Sequence, residues 1–190
     1  MTWAIGNGES RAGIDIDSLK GIKVGCNAIV RDYTVDCLVC VDRRMVSEAL
    51  DNKFANKILT RKDWLSRFPN DNVHAVPDIP YEGTERVDEA FQWGSGPYAV
   101  LQASLQSKKI KLIGFDLYSY TKRINNMYKD TANYDPSDKG AIDPRYWIHQ
   151  IGKVFECFPN KKYIIYQTPD WSLPKAWKHA NVSVDTIGNL

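Results

Sequence analysis

Several residues in this chain have the types and spacing to handle a phosphorylated ligand. Gly6-Asn7-Gly8-Glu9-Ser10-Arg11 brings two glycines, an amide, a hydroxyl and a guanidinium together. Gly and Asn both tolerate positive φ, so the stretch reads equally as a tight turn or as a loop offering backbone N–H groups to an anion. Gly94-Ser95-Gly96 stands before a helical pattern, where free N–H groups can meet an anion, and where Ser95 could instead be only a helix cap. Asp42 and Asp116 could accept a proton, hold a Mg²⁺ that bridges phosphates, or simply brace a loop. Arg11, Arg31, Arg43 and Arg44 carry the fork geometry that suits phosphate oxygens, although a solvated helix start explains Arg43 and Arg44 as well. His149 brings an imidazole, the side-chain type that most often abstracts a hydroxyl proton near neutral pH. It lies inside a helical pattern, so a surface or packing role stands beside the catalytic one. Trp93, next to the Gly-Ser-Gly turn, could stack on a base or a sugar, whereas Trp147, Trp171 and Trp177 read as packing residues.

Short β-rich apolar runs alternate with helical stretches, and these elements must position the groups above. Strands are predicted at 2–5, 22–26 and 37–41, with weaker candidates at 57–59 and 73–76 and further strands at 110–115 and 163–166. Helices are predicted over 43–52, 97–108 and 144–158 from apolar residues at helical spacing, the second with a proline at its start. The alternation predicts a single α/β domain over 1–190, Rossmann-like, with a mainly parallel sheet covered on both faces. In such a sheet, ligands bind beyond the carboxyl ends of the strands. Asn7, Asn27, Asp42, Asp116 and Tyr118 all fall at that edge. Segment 77–93 is an acidic loop, and 119–143 is a polar loop too long for an idle connector, which suggests a lid.

Two standard fingerprints are missing. G-x-G-x-x-G is not completed, because position 11 is Arg11, and no G-x-x-x-x-G-K-[ST] loop occurs. A net charge of +2, with no long basic run, argues against a strongly basic nucleic-acid binder. No apolar stretch reaches the ~20 residues of a membrane helix, and the first residues lack signal-peptide character, so a cytoplasmic location is the default expectation. Four cysteines are too few and too scattered for a disulfide scaffold. Cys37 and Cys40 form a C-x-x-C, but inside a strand residues three apart face opposite sides, which favours buried core thiols over a metal or redox pair. No metal site is expected from the sequence, and the oligomeric state is not encoded in any visible pattern.

Gly6-Asn7-Gly8-Glu9-Ser10, Cys26-Asn27, Ser95-Gly96-Pro97-Tyr98 and Gly114-Phe115-Asp116-Leu117-Tyr118 occur in that order on successive elements. Together they resemble the small single-domain bacterial sialyltransferases, whose pattern is G-N-G-x-S, C-N, S-G-x-Y and G-x-D-x-Y. The layout is also similar to that of flagellin-glycosylation proteins and archaeal-type hydroxymethylpterin pyrophosphokinases. The resemblance implies a cytidine-type nucleotide held by Asn7, Gly8, Ser10, Asn27, Ser95 and Gly96. It implies a histidine base and lid tyrosines on the departing phosphate; here the lid offers Tyr118, Tyr120, Tyr128 and Tyr134 but no histidine. His149 is the nearest substitute for the base, with Asp116 or Asp42 as replacements, and Tyr118, Tyr128 and Arg11 are the phosphate candidates.

The expected function is that of a glycosyltransferase-like transferase using a CMP-type nucleotide-sugar donor. Two alternatives stand beside it. One is phosphoryl or pyrophosphoryl transfer with Mg²⁺ at Asp42 or Asp116; the other is non-catalytic nucleotide binding on the same fold. The expected partner is a small nucleotide ligand, without nucleic acid or a membrane span.

Overall fold

The computed structural model describes residues 1–190. Eight strands form one parallel sheet: β1 (Thr2–Ile5), β2 (Ile22–Cys26), β3 (Cys37–Val39), β4 (Lys57–Thr60), β5 (Val73–Ala75), β6 (Lys109–Ile113), β7 (Lys162–Gln167) and β8 (Val182–Thr186). Their order across the sheet is β5-β4-β3-β2-β1-β6-β7-β8. The chain therefore runs outward from β1 in one direction, then returns to start again at β6 on its other side. That reversal between β1 and β6 is where an open parallel sheet leaves a crevice for a ligand.

Three helices complete the α/β fold: α1 (Arg43–Asp51), α2 (Ser95–Gln106) and α3 (Arg145–Cys157). Helices α2 and α3 belong to one core, which takes Ala4, Val24, Leu112 and Ile165 from the sheet. Helix α1 supplies Met45, Val46 and Ala49 to the core on the opposite face, with Trp3, Ile5, Leu38 and Ile58. Every residue of β1 is buried, as a central strand packed on both sides requires. Alanines Ala99 and Ala103 are fully buried in α2, small enough to bring that helix close to the sheet. No helix is long and apolar enough to cross a membrane.

The C-x-x-C reading is met in detail: Cys37 joins the α2 and α3 core, and Cys40 joins the α1 core. All four cysteines are free. Burial pushes the Cys37 thiol up to about 11 and the Cys26 thiol up to about 12, the latter opposed by Arg11, so both stay protonated near neutrality.

The differences from the sequence expectation are local. Helix α2 starts at Ser95 rather than Pro97, and Gly94, not Ser95, occupies the cap position without a side-chain cap. Strand β8 is absent from the sequence reading because its two valines are an edge pair with partial exposure and form no apolar run. Segment 77–93 contains two 3₁₀ turns, Arg86–Asp88 and Ala90–Gln92. Segment 119–143 has no helix or strand and holds only one isolated bridge, between Arg123 and Gly140.

Candidate functional site

The loops after β1, β2, β3 and β6, the start of α2 and segment 119–143 enclose a cleft of about 350 Å³ at the strand reversal. One wall is the Gly-Asn-Gly loop packed on the loop after β6. The Gly6 amide donates to Ile113 O at 2.8 Å and the Gly8 amide to Gly114 O at 2.9 Å. The two backbones touch so closely that a Cβ on Gly114 would stand 2.6 Å from Gly6 O, and Gly114 has φ +72°. A Cβ on Gly6 would collide with the Gly114 carbonyl, and one on Gly8 with the Asp116 carboxylate. Gly6 and Gly114 are therefore required by backbone packing and Gly8 by the Asp116 carboxylate, whatever else they do.

Asp116 locks that wall. It is buried; its carboxylate accepts from the Ser10 amide at 2.8 Å, from the Ser10 hydroxyl, and from Gln167 Nε2 at 3.3 Å. Trp171 Nε1 donates to its backbone oxygen at 2.7 Å. The Glu9 amide is taken by Asn125 Oδ1 at 2.8 Å. The amides of Gly6, Gly8, Glu9 and Ser10 are thus all spent inside the protein.

Asn7 is similarly committed. Its Nδ2 donates to Cys26 O at 3.0 Å and Tyr134 Oη at 3.3 Å, while its Oδ1 accepts from Arg11 Nη2 at 3.3 Å. Arg11 is fully buried and does not line the cleft. Its Nε donates to Gly6 O at 2.8 Å and Nη2 to Tyr128 Oη at 3.0 Å, leaving Nη1 without a partner. The tyrosines expected at a phosphate lie elsewhere too. Tyr128 is buried behind the loop with its hydroxyl donating to Asp32, and Tyr118 packs against Trp171. Burial pushes the Tyr128 phenol above its ordinary range, against the opposing effect of Arg11.

The opposite wall is different. Asn27 lines the cleft with φ +52°, a left-handed conformation that Asn tolerates better than most residues. Its Oδ1 accepts from Ser95 Oγ at 2.9 Å, and Ser95 Oγ in turn accepts from the Val41 amide at 3.1 Å. The Ser95 hydroxyl thus joins two strand-end loops to α2 instead of capping the helix. The Asn27 Nδ2 group and the Ser95 and Gly96 amides donate to no protein group. Asn126, from segment 119–143, also reaches the cleft, with its Oδ1 fixed by the Tyr128 amide. Ile124 and Ile142 from the same segment also line the cleft.

Asp42 and Asp116 are the only charged residues that line the cleft. Asp42 caps α1 through the Arg44 amide at 2.8 Å and pairs with the Arg44 guanidinium at 2.6 Å, which holds its carboxyl below the ordinary range. Arg31 is engaged elsewhere, paired with Glu48 at 2.5 Å. No group of three or more His, Cys, Asp or Glu side chains is arranged to hold a metal.

His149 lies outside the cleft, on α3, with Nε2 2.8 Å from Asp88 Oδ1. Tyr81 donates to the same oxygen at 2.8 Å. Burial pushes Asp88 up, but the bonds from His149 and Tyr81 outweigh it and hold the carboxyl below its ordinary range. The tryptophans exchange roles relative to the sequence reading. Trp93 is buried between Tyr81 and Tyr98, whereas Trp147 lines the cleft beside Gly94. The spacing of Trp147 and Ile151, four residues apart on α3 and both in the cleft, was the available signal for that face. Asn125 and Asn126 had no signal, because their placement depends on an irregular segment. No family model, curated protein or solved structure matches the chain.

Proposed function

We propose that the cleft binds a nucleotide and that the protein is a glycosyltransferase-like transferase acting on a nucleotide-sugar donor of the CMP type. The observation that carries this reading is the uncapped start of α2. The unspent Ser95 and Gly96 amides and Asn27 Nδ2 stand together at the strand reversal, in a cleft without a cationic side chain. The helix-end N–H groups and Asn27 Nδ2 can meet one phosphate group there, while Asp42 and Asp116 oppose any anion of high charge. Trp147, Phe115 and Ile151 give the remaining surface an apolar character suited to a base or a sugar ring.

Thermal unfolding with a panel of nucleotides tests the reading. A CMP-dependent rise in Tm that saturates with concentration is expected, and no stabilisation by any nucleotide would sink the idea. Non-catalytic binding is the second reading, favoured by the position of His149 outside the cleft and by the engagement of both lining carboxylates. It predicts nucleotide stabilisation without donor hydrolysis or transfer. Mg²⁺-dependent phosphoryl transfer has less support, since Asp42 is committed to Arg44 and Asp116 to Ser10. EDTA is expected to leave the nucleotide effect intact.

A further inference from the structure

A second cavity, of about 650 Å³, opens beyond the ends of β4 and β5, where Arg61 follows Thr60 and Val76 follows Ala75. The first turn of α2 divides the two spaces: Gly94, Ser95 and Gly96 face the cleft, and Tyr98 faces the second cavity. Its rim is polar and paired. Arg61 meets Asp63 through two bonds, at 2.9 and 2.7 Å, and Lys62 meets Asp78 at 2.5 Å. Asp88 adds a third carboxylate, held in place by His149 and Tyr81.

Two cations and three carboxylates leave the lining with an excess of one negative charge. That balance disfavours phosphates, carboxylates and nucleic acid. The walls are otherwise apolar and aromatic, and Phe91 stands at the cavity 53% exposed. An exposed aromatic face next to paired cationic and carboxylate groups suits an uncharged ligand with a flat apolar side and a hydroxylated edge.

We propose that this second cavity binds a neutral sugar ring, with Phe91 as its platform and the Arg61–Asp63 and Lys62–Asp78 pairs reading its hydroxyls. The site goes beyond the nucleotide reading of the cleft and does not depend on it. Titration of the ¹⁵N-labelled full chain with glucose, galactose and N-acetylglucosamine, followed by titration with CMP, tests the two separately. The expected result is saturable amide shifts at Phe91, Asp63 and Asp88 with at least one sugar, while CMP shifts residues of the cleft. Phe91→Ala should weaken sugar binding roughly tenfold, the loss of one stacking face. Asp63→Asn should weaken it without disturbing the CMP response. The proposal is overturned by the absence of saturable shifts with all three sugars, by shifts confined to the first cleft, or by Phe91→Ala binding as tightly as the parent. A missing CMP response alone counts only against the nucleotide reading.

Discussion

The wall of the cleft built after β1 and β6 and the wall built from Asn27 and the start of α2 both consist of small polar residues. In the first, the amides of Gly6, Gly8, Glu9 and Ser10 and the carboxylate of Asp116 satisfy one another. In the second, Ser95 uses its hydroxyl to tie Val41 and Asn27 together, and the neighbouring amides are left unspent. The loop that looks most like a ligand cradle is therefore the fixed wall, and the less conspicuous Ser-Gly step carries the available donors. A polar sequence pattern identifies a cleft edge; only the hydrogen-bond accounting tells which side of it has donors to give.

The fixed wall is most vulnerable at Gly114. Gly114→Ala forces a side chain against Gly6 O at positive φ and should lower the unfolding free energy by about 3 kcal/mol. Urea unfolding measures this, and an unchanged midpoint would mean the fixed wall yields easily. Asp116→Asn removes the charged acceptor shared by Ser10 and Gln167 and should cost about 2 kcal/mol. Whatever protein remains folded should keep its nucleotide-induced Tm shift, since Asp116 acts on the wall rather than on the ligand.

Acid sharpens the contrast. Bonding from Arg31 holds Glu48 below its ordinary range, and Arg31 and Glu48 together grip Thr131, Ala132 and Asn133 behind the fixed wall. Asp88 is also held low. Carboxylates with lowered folded-state values give their full stabilisation above the unfolded value, about pH 4, and lose it as the pH falls through the folded one. Stability should therefore decline below about pH 4, and Glu48→Gln should flatten part of that decline in a pH series of urea midpoints. Asn27, Ser95 and Gly96 do not titrate there. The smallest stability change is expected for Asn27→Gly, which relieves the positive φ and should shift stability by less than about 1 kcal/mol. The same variant should reduce the nucleotide-induced Tm shift, and a full-sized shift would remove Asn27 from the binding wall.

The architecture was legible because buried parallel strands such as Thr2–Ile5 are apolar throughout, and the amphipathic α1 and α3 carry clear spacing. Asn27, Ser95 and Gly96 were legible as an edge set because each directly follows a strand or begins a helix. The fate of Asn7, Arg11 and Tyr128 was not, since it depends on contacts between positions far apart in sequence. His149 shows the same limit: helical spacing gives its face, but its partner Asp88 comes from an irregular acidic loop.

The clamp between Ser10 and Asp116 joins positions 106 residues apart. Contacts of such separation carry a large loop-closure cost and form late. A chain that has organised only β1 to β5 can hold the Gly-Asn-Gly segment through Asn7 and Arg11, but lacks β6 and its loop, which take the Gly6, Gly8 and Ser10 amides. Docking of β6 is the step that turns it into a wall, so a ligand that needs the cleft, as we propose for a nucleotide, would select chains in which β6 has docked.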